Sequence, residues 1–113
     1  MVNPYDKANE LGQALKQSKE YLEYMEAKKR VYEDEETKDI IKDFKKKQYN
    51  VQMLAISGKE VEPEKMEKIQ ELYKILVENP KVKEFFDIEV RFNVMLADVN
   101  KIIGDSVKDA IVE

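Results

Sequence analysis

Residues 80–103, PKVKEFFDIEVRFNVMLADVNKII, decide the fold. Phe85, Ile88, Phe92, Met95, Val99 and Ile102 recur in alternating steps of three and four, which draws one apolar seam along a helix. Leu96 and Ile103 widen that seam. Phe86, Val90, Val94 and Ala97 fall on a different side, and only a narrow sector through Asp87, Arg91 and Asp98 is polar. A helix that is apolar nearly all round has to be buried nearly all round. Each large side chain taken out of water contributes about 1.5–3 kcal/mol, so leaving Phe86, Val90 and Val94 wet would forgo several such terms and create a sticky patch. The expected cover is a second copy of the same helix across a two-fold axis. The competing solution is that the first two helices of the chain wrap it.

Upstream, the helical period continues. Asn79-Pro80 is a start signal: asparagine caps a helix well, and proline at the first helical position loses no hydrogen bond, because its N–H would have been unpaired there. Met66, Ile69, Leu72, Tyr73 and Leu76 form the stripe of a preceding helix that starts at Pro63, with Glu62 as a mediocre cap and Val61 placed to pack on Met66. Before it, Ile40, Ile41, Phe44, Val51, Leu54 and Ala55 line one side of a helix from about Glu35 to Ser57, capped by Asp34 and ended by Gly58. The short link through Gly58 makes these two an antiparallel hairpin over 35–78.

At the N-terminus, Asn3-Pro4 repeats the Asn-Pro start, and Ala8, Leu11 and Leu15 make a stripe with Tyr5 at its edge. Ser18 is the next candidate cap. A second helix follows from Lys19 to about Glu33, with Tyr21, Tyr24, Met25 and Tyr32 on one side and Lys28 interrupting them. This helix is either separate from the first or continuous with it. The expected architecture is all-α and one domain over 1–113: short helices over 4–33, the hairpin 35–78, a long antiparallel helix 80–103, and a short tail 104–113 after Gly104. Together these form a bundle completed by dimerisation.

Composition narrows the chemistry. Cysteine and histidine are both absent, which removes thiolate metal sites, disulfides, the cysteine nucleophile and the commonest general base. No nucleophile–base–orienter set assembles from what remains, so no catalytic residue, cofactor site or metal site is assigned and the chain is not expected to be an enzyme. No glycine-rich phosphate loop is present among three scattered glycines. The acidic run Glu33-Asp34-Glu35-Glu36 lacks the ligand spacing of a calcium loop and reads as a helix start, as do Glu62, Glu64 and Glu67. Lys45-Lys46-Lys47 and Lys28-Lys29-Arg30 are interleaved with acids in a chain of net charge −4, so nucleic acid is not the expected partner. Tyr21, Tyr24, Tyr32, Tyr49 and Tyr73 read as core edge or interface rather than as stacking platforms. Glu89 and Asn100 border the seam of the last helix, either as determinants of register or as plain rim. No apolar run approaches the ~18 residues of a membrane span, and MVNPYDKANE is not laid out as a signal peptide, so a cytoplasmic protein without membrane insertion is expected.

The stretches NPYDKANELGQALKQSKEY (3–21), IIKDFKKKQ (40–48), NPKVKEFF (79–86) and EVRFNVMLADVNKII (89–103), in that order, resemble the YlbF/YmcA-like family of small helical bacterial proteins, and within it the YheA-type branch. The resemblance covers nearly the whole chain and rests on the order of segments rather than on one motif. It implies an all-helical fold that associates into dimers or larger assemblies in a Gram-positive background. It also implies a regulatory setting, since some relatives are subunits of complexes affecting competence, sporulation, biofilm formation and RNA processing by a membrane-bound ribonuclease. Those relatives hold iron–sulfur clusters through cysteines. This chain has none, so the cluster does not carry over.

The resulting expectation is a non-catalytic protein–protein interaction or regulatory module, a homodimer or higher homo-oligomer that engages a partner protein. The alternative is an RNA-associated accessory factor of a ribonuclease or developmental complex, acting through the lysine-rich third helix. The interface residues expected from the sequence are Phe44, Val51, Phe85, Phe86, Ile88, Val90, Phe92, Val94, Met95 and Val99.

Overall fold

In the computed structural model, which describes residues 1–111, the chain is all-α. Its helices are α1 (Pro4–Lys16), α2 (Lys19–Val31), α3 (Glu35–Ile56), α4 (Pro63–Val77), α5 (Pro80–Ser106) and α6 (Lys108–Ile111), with no strand among the described residues.

The two Asn-Pro starts work alike. Asn3 Oδ1 accepts the Tyr5 N–H at 2.9 Å, and Asn79 Oδ1 accepts the Lys81 N–H at 3.0 Å. In each case proline takes the first helical position and the asparagine side chain satisfies the first free donor after it. Ser18 separates α1 from α2 by closing one helix and opening the other. Its hydroxyl donates to Leu15 O at 2.6 Å and accepts the Tyr21 N–H at 3.1 Å. Asp34 has the extended backbone of a cap, but its carboxylate accepts the Thr37 hydroxyl rather than a backbone N–H.

Gly58 ends α3 with φ +77°. Lys59 N donates to Leu54 O at 3.0 Å and Gly58 N to Ala55 O at 3.1 Å, the paired hydrogen bonds of a Schellman closure. Gly104 behaves differently from the expected stop. It stays helical, and α5 continues to Ser106. Glycine permits the left-handed turn without compelling it. Here Lys101 Nζ reaches Asp105 at 2.8 Å across the glycine, and the Ser106 hydroxyl bonds Ile102 O at 2.8 Å, both within the continuing helix.

Two compact units divide the chain. One comprises Lys28–Phe85, the other Met1–Ala27 together with the chain from Phe86 onward. In the Lys28–Phe85 unit, α3 and α4 pack as the expected antiparallel hairpin, Phe44 meeting Tyr73 at 6.1 Å between ring centroids. Val31, Ile41, Phe44, Leu76, Val82 and Phe85 are buried there, with Ile41, Val82 and Phe85 wholly enclosed. Tyr32 stands edge-on to Phe85 at 6.4 Å, and Lys45 lays its ammonium 5.8 Å from the same ring. In the other unit, Ala27, Phe86 and Ile88 are buried, while Tyr21 and Tyr24 pack on Phe92 at 6.0 and 4.9 Å.

On α2 the buried positions are Ala27 and Val31, not Met25, which is exposed. Lys28 does not spoil this face, because its ammonium lies 5.5 Å from the Tyr32 ring and its stem is half-buried.

Candidate functional site

Helix α5 carries its apolar residues on more than one side, and the structure separates those sides by burial. Ile88 is buried and Phe92, Met95, Leu96 and Val99 are half-buried on the inward seam. Val90 and Val94, on the second side, are 59 % and 54 % exposed. They open onto a groove of about 820 Å³ whose apolar lining is Val90, Val94, Met95 and Val99. Lys19, Glu20 and Glu23 of α2 line it as well, as do Arg91 and Asp98 of α5. Lys19 and Glu23 approach each other at 3.8 Å. Arg91 and Asp98 are exposed, and among the described residues neither forms an ion pair.

The ten residues expected at an interface therefore fall into three groups. Phe44, Phe85, Phe86 and Ile88 are buried by the chain itself. Val51, Phe92, Met95 and Val99 are half-buried, Val51 in the α3–α4 seam beside Ile69 and Phe92 beneath the two tyrosines. Val90 and Val94 are exposed. The groove gathers Val90, Val94, Met95 and Val99 of this set in one place. Arg91 and Asp98, which periodicity places in the narrow polar sector of α5, line the same groove. Their spacing of seven residues around the Val94–Met95 step was the available signal.

The polar features take ordinary structural roles. Glu89 is half-buried and accepts the Tyr24 hydroxyl at 2.8 Å, whereas Asn100 is exposed. The lysine run on α3 does not present one continuous cationic face: Lys47 bonds Asp43 at 2.7 Å, Lys45 is half-buried over Phe85, and Lys46 is exposed. The acids at 33–36 are exposed, and among the described residues no three acidic side chains converge as a metal site. No described helix is long and apolar enough to cross a membrane.

Residues 5–108 match the family described as control of competence regulator ComK, YlbF/YmcA. A UPF0342 protein of Caldicellulosiruptor bescii is 39 % identical over 108 residues, spanning 96 % of this chain and 91 % of its own length. A UPF0342 protein of Streptococcus sanguinis is 35 % identical over 111 residues, spanning 98 % and 99 %. A solved structure, a protein of unknown function (DUF964) from Bacillus stearothermophilus, has the same fold, with a TM-score of 0.75 at 18 % identity over 96 % of each chain. With nearly all of its length matched in this way, the chain belongs to the YlbF/YmcA family.

Proposed function

We propose that the protein is a non-catalytic regulatory module that works as a helical homo-oligomer, in the first instance a homodimer, and acts by engaging a partner protein. The observation that carries this reading is the exposed apolar face of α5 at Val90 and Val94, continuous with the half-buried Met95 and Val99. Apolar side chains clustered on one face and rimmed by charge are the usual mark of a surface that meets another protein. The family description, which names control of a competence regulator, supports a regulatory rather than a metabolic role. The absence of histidine and cysteine from the sequence is in keeping with a molecule whose work is association.

Sedimentation equilibrium or multi-angle light scattering on the purified chain tests the reading. The expected result is a species of twice the 13.3 kDa chain mass at micromolar concentration. A single species of 13.3 kDa throughout that range overturns it.

A further inference from the structure

Arg91 and Asp98 stand two helical turns apart on α5, exposed, of opposite charge, and on the midline of the face that Val90, Val94, Met95 and Val99 line on either side. Neither is satisfied by an ion pair within the described chain. The midpoint between them falls at the Val94–Met95 step. Opposite charges disposed evenly about one point are what a two-fold axis through that point brings into register, because residue i of one copy then meets residue j of the other, and j meets i.

We infer that a second copy of this chain occupies the groove, with the two α5 helices antiparallel and the axis passing between Val94 and Met95. This inference rests on the self-association proposed above and adds its partner, direction and register. In this arrangement Arg91 of each copy lies level with the partner's Asp98, Val90 with the partner's Val99, and Val94 with the partner's Met95. Two charge pairs then lie along the middle of a shared apolar strip, and both charges gain an ion pair.

Competing arrangements lose this match. A parallel pair sets arginine against arginine and aspartate against aspartate, which is repulsive. Sliding one antiparallel copy by a turn in one direction sets Asp98 level with the partner's Asp87 and Arg91 level with the partner's Val94. Sliding it the other way leaves Arg91 level with the partner's Ile102 and Asp98 level with the partner's Met95. The charges therefore select a direction and a register, while the apolar strip supplies adhesion.

Charge exchange in the full chain tests this, read by sedimentation equilibrium. Arg91→Asp and Asp98→Arg, each alone, convert both pairs from attractive to repulsive and are expected to raise the dimer dissociation constant about tenfold or more. Mixed together, one variant presents two acids and the other two bases, so a mixed dimer of near wild-type affinity is expected to form. The double variant R91D/D98R is expected to regain self-association. Both positions are exposed, and rescue on mixing also shows that each variant is folded. A wild-type dimer that neither single variant weakens overturns the register while leaving self-association intact. So does weakening that mixing fails to rescue. A monomeric wild-type chain overturns the underlying reading itself.

Discussion

The Tyr24 hydroxyl donates to the Glu89 carboxylate at 2.8 Å, joining α2 to α5 across sixty-five residues of sequence. The Tyr24 ring meanwhile stands edge-on to Phe92, one turn further along α5 from Glu89. One side chain thus makes an apolar and a polar contact on the same helix, and Glu89 serves the fold of its own chain. Tyr24→Phe keeps the ring contact and removes the donor. It is expected to lower the unfolding free energy by about 1–2 kcal/mol, because the half-buried carboxylate loses a charge-assisted hydrogen bond. Glu89→Gln keeps an acceptor and is expected to cost less. Urea unfolding of the three proteins checks the order, and a Tyr24→Phe variant as stable as wild type shows the bond to be inconsequential.

Two glycines separate backbone strain from helix propensity. Gly58 holds φ +77° with nothing within 4 Å of where a Cβ would sit, so Gly58→Ala meets no clash and is expected to cost about 1–2 kcal/mol through the left-handed backbone alone. Gly104 lies inside α5 in equally open space. Gly104→Ala is expected to stabilise by about 0.5–1 kcal/mol, since alanine loses less conformational freedom in a helix. Opposite signs in thermal melts are the expected outcome, and a destabilised Gly104→Ala contradicts the helical assignment there.

The caps at Ser18 and Asn79 have local readouts. Ser18→Ala removes the acceptor for the Tyr21 N–H and is expected to cost about 1 kcal/mol, with faster hydrogen exchange in the first turn of α2. Asn79→Ala removes the acceptor for the Lys81 N–H just before the wholly buried Val82, and a cost of about 1 kcal/mol is expected there too. Asn3→Ala, at an exposed end, is expected to affect only fraying of α1. Unchanged exchange at Tyr21 in the serine variant counts against the cap.

Core and surface positions on α5 are expected to respond in opposite ways. Phe85→Ala empties a site that is 0 % exposed and is expected to destabilise the chain by about 3–5 kcal/mol. Val94→Ala is expected to change the stability of the dissociated chain by no more than about 0.5 kcal/mol, because the side chain is already half in water. Val94→Asp is expected to weaken association at nearly unchanged monomer stability. Phe86→Asp, by contrast, places a charge in a buried position and is expected to unfold the chain first. Melts at low concentration beside light scattering at high concentration separate the two effects, and a Val94→Asp chain that associates like wild type excludes this face.

Periodicity and punctuation made most of the secondary structure legible. The seam from Phe85 to Val99, the Asn-Pro starts, the cap at Ser18 and the turn at Gly58 follow from local pattern. Ile102 and Ile103, expected to continue that seam, are exposed, because among the described residues no neighbour of the same chain reaches the end of α5. Gly104 does not end α5, because a glycine allows a helix to stop without compelling it. Met25, on the expected stripe of α2, is exposed, because aromatic and apolar counts do not reveal which face meets a neighbour.

The sequence by itself determined that the chain is helical, where its main turns fall, and that α5 has more apolar surface than a one-sided helix uses. Those properties follow from local sterics, hydrogen-bonding capacity and a 3.6-residue period. Only the tertiary structure decided how that surface is divided: Phe85, Phe86 and Ile88 go to the chain's own core, while Val90 and Val94 are left beside Arg91 and Asp98 in an open groove. Burial depends on which residues, distant in sequence, arrive at each face, and no local pattern carries that information.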